Sequence, residues 1–163
     1  MIIKGRARRF GDNIDTDTIT PGSLLYLDTE ELATHAFEPI APDFAKSVRE
    51  GDIIVGGNNF GCGSSREQAT AVVKQLGIRY VVAESMARIY MRNCVALGLY
   101  PVISKGASVL FEEGDEIEID FDKGEVRNPK SGKKAAFEPL SGGSLEIVNA
   151  GGILATLKER MGK

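Results

Sequence analysis

Hydrophobic and polar positions along the chain predict strands and helices that alternate between residues 52 and 103. Two segments in this range, residues 64–77 and 85–98, repeat apolar residues at the i, i+3, i+4 and i+7 spacing of an amphipathic helix, and each ends in glycine. Continuous apolar runs of the kind buried on both faces of a sheet flank them: IIVGG, IRYVVAE and YPVIS. This order predicts parallel strands joined by right-handed crossovers.

The segments outside this range carry different patterns. The N-terminal stretch IIKGRARRFGDN predicts a strand that runs into a turn. Charged and apolar residues alternate around Asp122-Lys123-Gly124, which is a hairpin signature. A C-terminal helix is expected, interrupted at Gly151-Gly152. The prediction is one α/β domain over residues 1–163, whose mixed sheet contains a parallel β-α-β-α-β core.

Composition and charge exclude several classes of protein. The 163 residues carry 20 lysines and arginines against 23 aspartates and glutamates, a net charge of −3, so no basic surface is expected for nucleic acid. No apolar run approaches the roughly 20 residues of a membrane span. The N-terminus lacks the apolar region of a signal peptide. We therefore expect a cytoplasmic protein with neither a nucleic-acid nor a membrane partner.

The chain holds few metal ligands. Its two cysteines, Cys62 and Cys94, and its single histidine, His35, are too few for a site built from three or four cysteines. We expect no metal and no cofactor on this chain, so metal chemistry would need ligands from elsewhere. Cys62 is expected to be either a small packed residue or a reactive thiol at a helix N-terminus.

The stretch NNFGCGSSRE, residues 58–67, allows two interpretations. Ser64 and Glu67 have the spacing of a capping box, which would start a helix without any further function. The surrounding glycines and Arg66 instead favour an anion site, since a cation in the first helical turn is unfavourable unless an anion lies against it. A serine base here would need backbone N–H groups and Arg66 to stabilise its alkoxide, because His35 is expected to be a surface or core residue.

Two other motifs are less specific. The polar stretch IDTDTITPGSLL predicts a loop with Asx turns, in which Asp17 is placed to orient Arg66 or bind a substrate hydroxyl if the loop folds against it. In ARIYMRN, Arg88 and Arg92 lie one helical turn apart, opposite the apolar stripe. We expect that face to be solvated, or else to lie at a subunit contact or at the rim of the site.

Four stretches together resemble a known family: DTDTITPG, GGNNFGCGSSREQA, AESMARIYMRNCVALGL and EIVNAGGILATLK. They are similar, in the same order and over almost the whole chain, to the small subunit of isopropylmalate isomerase and its homoaconitase relatives. That subunit is in turn similar to the swivelling domain of aconitase. The resemblance implies a layered β/β/α swivelling fold. It also implies a large partner subunit that carries a [4Fe-4S] cluster, which binds the substrate's hydroxyl and carboxylate.

The same resemblance implies roles for individual residues. By position in the motif, Ser64 matches the catalytic base that removes the proton beside a carboxylate. Ser65 and Arg66 match contacts to the substrate carboxylate, and Asp17 matches the loop aspartate of the family. The implied reaction removes and re-adds water, which converts 2-isopropylmalate to 3-isopropylmalate in leucine biosynthesis.

The segment after Pro21 bears on the substrate, because in this family it lines the pocket for the substrate's variable arm. Homoaconitase-like members carry an arginine there, whereas residues 23–27 read Ser-Leu-Leu-Tyr-Leu. An apolar arm is expected to bind against Leu24, Leu25 and Tyr26, because an unpaired carboxylate would be costly to desolvate there.

Other substrates and one other class of function stay open. Citramalate and dimethylmalate also have apolar arms, and Arg8 or Arg9 would allow a homoaconitase substrate by supplying a cation from another strand. The alternative outside enzymes is a non-catalytic module that binds an anion.

Overall fold

The computed structural model describes residues 1–162 and places seven strands of this range in one mixed sheet. The strands are β1 (Ile2–Arg9), β2 (Ile53–Gly56), β3 (Tyr80–Ala83), β4 (Tyr100–Ile103), β5 (Glu116–Asp120), β6 (Glu125–Arg127) and β7 (Lys134–Ala136). The α-helices are α1 (Thr16–Ile19), α2 (Thr29–Ala33), α3 (Phe44–Ser47), α4 (Gln68–Gln75), α5 (Arg88–Leu97), α6 (Gly142–Ala150) and α7 (Ile153–Met161). No helix in the described range is both long and apolar enough to span a membrane.

The sheet joins a parallel half to an antiparallel half at β1. Its strand order is β4-β3-β2-β1-β5-β6-β7. Strands β1 to β4 are parallel to one another, whereas β5, β6 and β7 form the antiparallel half, including the predicted hairpin. The predicted parallel β-α-β-α-β core and the break at Gly151-Gly152 are confirmed.

Two apolar clusters cover the two faces of the sheet. Strand β2 is buried at every position, with Ile54 in the cluster beneath α2, α4 and α5, and with Ile53 and Val55 in the other. This burial on both faces explains why β2 reads as a continuous apolar run rather than as an alternating one. The parallel half of the sheet therefore gives a fixed base from which the loops after β1, β2 and β3 extend.

Three boundaries predicted from the sequence are wrong. Helix α4 begins at Gln68, and Glu67 occupies its N-cap in helical conformation without a side-chain capping bond, so the capping box does not form. The chain stays irregular before it because Gly63 has a φ of 100° and the Arg66 N–H donates to the Ser64 carbonyl at 2.9 Å. Arg66 is therefore not in the first turn of a helix.

The other two boundaries shift for similar reasons. Helix α5 begins at Arg88 rather than at residue 85, because the Ser85 hydroxyl, which would cap a helix that starts there, accepts from the Asn59 N–H at 2.8 Å instead. Ile89, one of the apolar residues of the predicted segment 85–98, is 51 % exposed. The stretch expected as a polar loop contains α1, a single helical turn in which the Asp15 carboxylate accepts from the Thr18 N–H.

Candidate functional site

The candidate site is built on two loops that run side by side at the carboxyl ends of β1 and β2. Residues 11–16 and 57–63, called the paired loops below, continue the pairing of the two strands beyond the sheet. Four backbone hydrogen bonds join them: Gly57 N–H to Gly11 O at 3.0 Å, Asn13 N–H to Asn58 O at 2.8 Å, Gly61 N–H to Ile14 O at 2.7 Å, and Thr16 N–H to Cys62 O at 2.9 Å. The loop after β3 adds to them, since the Phe60 N–H donates to Ser85 O at 3.1 Å.

Two glycines of the paired loops are required by packing within the protein. A Cβ at Gly57 would overlap the Asp12 carboxylate, whose Oδ1 accepts from the Asn58 N–H at 2.6 Å. A Cβ at Gly61 would overlap the Tyr90 ring, and Gly61 has a φ of 79°. The sequence suggested that these glycines let a ligand approach the backbone, whereas in the structure they let the backbone approach side chains.

Ser64 follows the paired loops directly and is exposed. Its Oγ lies 3.2 Å from Thr16 Oγ1, and this is the single hydrogen bond of the Ser64 hydroxyl within residues 1–162. Thr16 is 2 % exposed. Sequence reasoning missed Thr16, which looked like a turn residue; its position beside Asp17 in the same motif was the available signal.

Arg66 and Asp17 form an ion pair next to this serine, between Arg66 Nη1 and Asp17 Oδ1. The same nitrogen lies 3.4 Å from Thr20 O. The Arg66 side chain is 23 % exposed and that of Asp17 66 %. The contact anticipated between these two residues is present, and Gly22 leaves the pair uncovered, because a Cβ there would lie 3.3 Å from both side chains.

The remaining candidate residues differ in exposure. Ser65 is exposed beside Ser64. Leu24 and Leu25 are half-buried and pack against the apolar cluster beneath α2 and α4, while Tyr26 is 81 % exposed. The structure therefore brings Asp17, Ser64 and Arg66 together, with Tyr26 as the most exposed apolar side chain of the following segment.

Arg8 and Arg9 are committed to contacts elsewhere. Arg8 is buried, with its Nη1 at 3.4 Å from Asp52 Oδ2 and its guanidinium 4.6 Å from the centre of the Phe44 ring. Burial would raise the pKa of Asp52, but hydrogen bonds from Arg6 and from the Arg49 N–H outweigh it and hold this pKa below its usual value. Arg9 donates from Nε to Ser108 O at 3.0 Å. The buried Arg8 is therefore not free to supply the extra cation, whereas Arg9 is exposed and its guanidinium is held by this one contact within residues 1–162.

The other candidates from the sequence lie apart from the serine. Arg88 and Arg92 are exposed on α5, without a carboxylate at ion-pair distance among residues 1–162. His35 is hydrogen-bonded to Glu38. Cys94 is fully buried, which raises the pKa of its thiol, and Cys62 is half-buried.

The part of the chain that the structure describes contains no group of three or more histidine, cysteine, aspartate or glutamate side chains arranged to hold a metal ion. A separate cavity of about 410 Å³ lies under α6, lined in part by Tyr80, Tyr100 and Leu145. Tyr80 and Tyr100 are the first residues of β3 and β4. Because β1 to β4 are parallel, this cavity lies at the opposite edge of the sheet from the paired loops.

Comparison with known proteins shows the family to which the chain belongs. Residues 2–106 match the family of the aconitase C-terminal domain. The chain belongs to this family. Among curated relatives of this aconitase-type domain, the methanogen homoaconitase small subunit of Methanocaldococcus jannaschii is 48 % identical over 161 residues, which cover 98 % of this chain and 94 % of that protein. The isopropylmalate/citramalate isomerase small subunit of the same organism is 47 % identical over 161 residues, 98 % of this chain and 96 % of that protein.

A solved structure gives the same result for the fold. The crystal structure of 3-isopropylmalate dehydratase from Methanocaldococcus jannaschii matches this aconitase-type domain with a TM-score of 0.90 and 48 % identity, over 98 % of this chain and 95 % of that one. The layered swivelling fold implied by the sequence motifs is therefore confirmed.

Packing against Tyr90 predicts a large cost for a side chain at position 61. Gly61→Ala combines a positive φ with a clash against a buried ring, so we expect a loss of about 3 kcal/mol in the free energy of unfolding. Gly106→Ala is the matched control, because Gly106 has a φ of 88° but a Cβ there would meet no atom within 4 Å; strain alone should cost about 1 kcal/mol at that position. Urea denaturation measures both, and equal losses would contradict the packing argument.

Proposed function

We propose that this chain is the small subunit of a hydro-lyase that isomerises 2-isopropylmalate to 3-isopropylmalate by removing and re-adding water. The observation that carries the proposal is the exposed Ser64 hydroxyl beside the Arg66–Asp17 pair. Family membership supports the same reaction class, since similar proteins are named isopropylmalate/citramalate isomerase and 3-isopropylmalate dehydratase small subunits.

Each side chain has a role in this reaction. Ser64 Oγ, as the alkoxide, takes the proton from the carbon next to a substrate carboxylate and becomes a hydroxyl, the neighbouring C–O bond breaks, and the alkene forms as hydroxide leaves; the proton and the hydroxide together make up the water removed. Water then adds back the other way round. Its hydroxyl joins the carbon that lost the proton, and its proton joins the carbon that lost the hydroxyl. Arg66 binds the carboxylate through its guanidinium, Asp17 holds that guanidinium in place, and Ser65 supplies a further hydrogen bond to the substrate.

The open site calls for a second subunit. Ser64 and Ser65 are exposed, and an alkoxide in contact with bulk water is quickly protonated, so base catalysis here needs a surface that excludes water. A large subunit that covers the paired loops would provide it. We expect that subunit to hold the [4Fe-4S] cluster, which would bind the substrate's hydroxyl and carboxylate; residues 1–162 offer no ligand set for such a cluster.

The segment after Pro21 supports an apolar substrate arm. It begins against the Arg66–Asp17 pair at Gly22 and contains no cation up to Leu27. Of the other candidate cations, Arg8 is buried against Asp52, and Arg9 is hydrogen-bonded through Nε to Ser108 O. An arm that ends in a carboxylate would therefore face apolar side chains without a partner from this chain, whereas an isopropyl group would gain from burial against them.

A non-catalytic anion-binding module is less well supported. Asp17 already contacts the Arg66 guanidinium and neutralises part of its charge. Such a pair suits a precisely oriented substrate better than a simple anion trap, because the aspartate repels an anion that lacks further contacts.

Replacement of the base is the first test of this function. Ser64→Ala, reconstituted with the large subunit, should lose about 10³-fold in kcat, since general-base catalysis contributes roughly 10²–10⁴-fold. Subunit association, measured by analytical ultracentrifugation, should be unchanged. Ser131→Ala, on the exposed turn before β7, is the matched control and should keep wild-type turnover. Full activity of the Ser64 variant would remove the serine as base.

A comparison of substrates tests the apolar arm. The reconstituted complex should show a kcat/KM at least about 100-fold higher for isopropylmalate than for homocitrate, because an unpaired carboxylate costs several kcal/mol to desolvate. Citramalate, with a shorter apolar arm, should lie between them. The highest kcat/KM on homocitrate would contradict this assignment.

A further inference from the structure

Thr16 is held more firmly than its place in a surface motif suggests. It is 2 % exposed. Its N–H donates to Cys62 O at 2.9 Å, and its carbonyl accepts from the Thr20 N–H at 2.8 Å and from Thr20 Oγ1 at 3.1 Å. With the backbone fixed on both sides and a β-branched side chain that has few rotamers, Thr16 Oγ1 has a fixed direction.

Thr16 Oγ1 is directed at the Ser64 hydroxyl. The two hydroxyl oxygens are 3.2 Å apart, and within the described residues neither has another hydrogen-bond partner. Gly63 permits this approach, since a Cβ at that position would lie 3.2 Å from Thr16 Oγ1. Ser64 itself is exposed and would otherwise be free to change rotamer. Thr16 thus selects one orientation of the serine.

The hydrogen bond also changes with the charge of Ser64. Between two neutral hydroxyls either oxygen can be the donor, but an alkoxide can only accept, so Thr16 must then donate. Hydrogen bonds to a charged acceptor are roughly twice as strong as neutral ones. Of the donors anticipated from the sequence, the Arg66 N–H donates to the Ser64 carbonyl and Arg66 Nη1 contacts Asp17, whereas Thr16 Oγ1 contacts the Ser64 hydroxyl itself.

We propose that Thr16 is a positioning residue for the proton-transfer step, which donates a hydrogen bond to the Ser64 alkoxide and makes that hydroxyl easier to deprotonate. The inference rests on the proposed function, because it presupposes that Ser64 is the base. Thr16 is buried behind Ser64, so it acts through the serine.

The test removes the Thr16 hydroxyl, which is the hydrogen-bond donor, and keeps the shape of the side chain. Thr16→Val in the reconstituted complex should lower kcat by about 10- to 100-fold and leave KM within about 2-fold, because substrate binding does not use the threonine. The rising limb of the kcat/KM pH profile should move to higher pH, since the serine is harder to deprotonate. Thr16→Ser restores the donor and should recover kcat to within about 5-fold.

The matched control is Thr70→Val. Thr70 is also a fully buried threonine, but it makes no hydrogen bond to Ser64, Arg66 or Asp17. The Thr70→Val variant should leave kcat and the pH profile unchanged. Circular dichroism and subunit association confirm that each variant is folded; if Thr16→Val is not, Thr16→Ala takes its place with the same expectations.

The outcomes separate this inference from the proposed function. Wild-type kcat and an unshifted pH profile in a folded Thr16→Val or Thr16→Ala complex, with Ser64→Ala inactive, would overturn the role of Thr16 alone. A loss in Thr16→Val that Thr16→Ser does not recover would also overturn it. Full turnover by Ser64→Ala would overturn the function of the site itself.

Discussion

The hydrogen-bonded pairing of residues 11–16 with residues 57–63 is the constraint on which the site depends. It continues the parallel pairing of β1 and β2 beyond the sheet, so its geometry is set by strands that are buried on both sides. Because the loops are fixed against each other, Thr16 meets Ser64 and Asp17 meets Arg66 across 48 and 49 positions of sequence. Gly57 and Gly61 are part of the same constraint. A side chain at Gly57 would collide with Asp12 in the facing loop, and a side chain at Gly61 would collide with the Tyr90 ring.

The order of elements could be predicted from sequence because it depends on local patterns. Apolar runs marked the buried strands, the i, i+3, i+4 spacing marked α4 and α5, and a turn signature marked the hairpin. The start of α4 was wrong because the Ser64–Glu67 spacing is a local signal, and the positive φ of Gly63 together with the pairing of the loops overrides it. Thr16 was missed because its partner Ser64 is distant in sequence, and the one local signal was its position beside Asp17.

The exposure of the site indicates how the chemistry would be divided between subunits. This chain provides the Ser64 hydroxyl and the Arg66–Asp17 ion pair, all at one open edge of the sheet. In the proposed reaction, base catalysis needs that edge to be dry and hydroxide departure needs an electrophile, and residues 1–162 contain no group of three or more side chains arranged to hold a metal ion. A second subunit that covers the paired loops would meet both needs.

In the proposed function, the substrate's arm binds against a different segment from the paired loops. Residues 22–27 begin at the Arg66–Asp17 pair and leave Tyr26 exposed. Relatives named for different substrates are 47–48 % identical to this chain, so overall similarity does not separate their substrates. Specificity would instead follow from whether this short segment presents a cation or apolar side chains.

The most direct test of the division between subunits is dehydration of isopropylmalate by the purified chain, followed as formation of the alkene, first alone and then with the large subunit added. The account predicts no turnover by the chain alone and turnover that rises with added large subunit until the two are matched. Dehydration by this chain without a partner would contradict it.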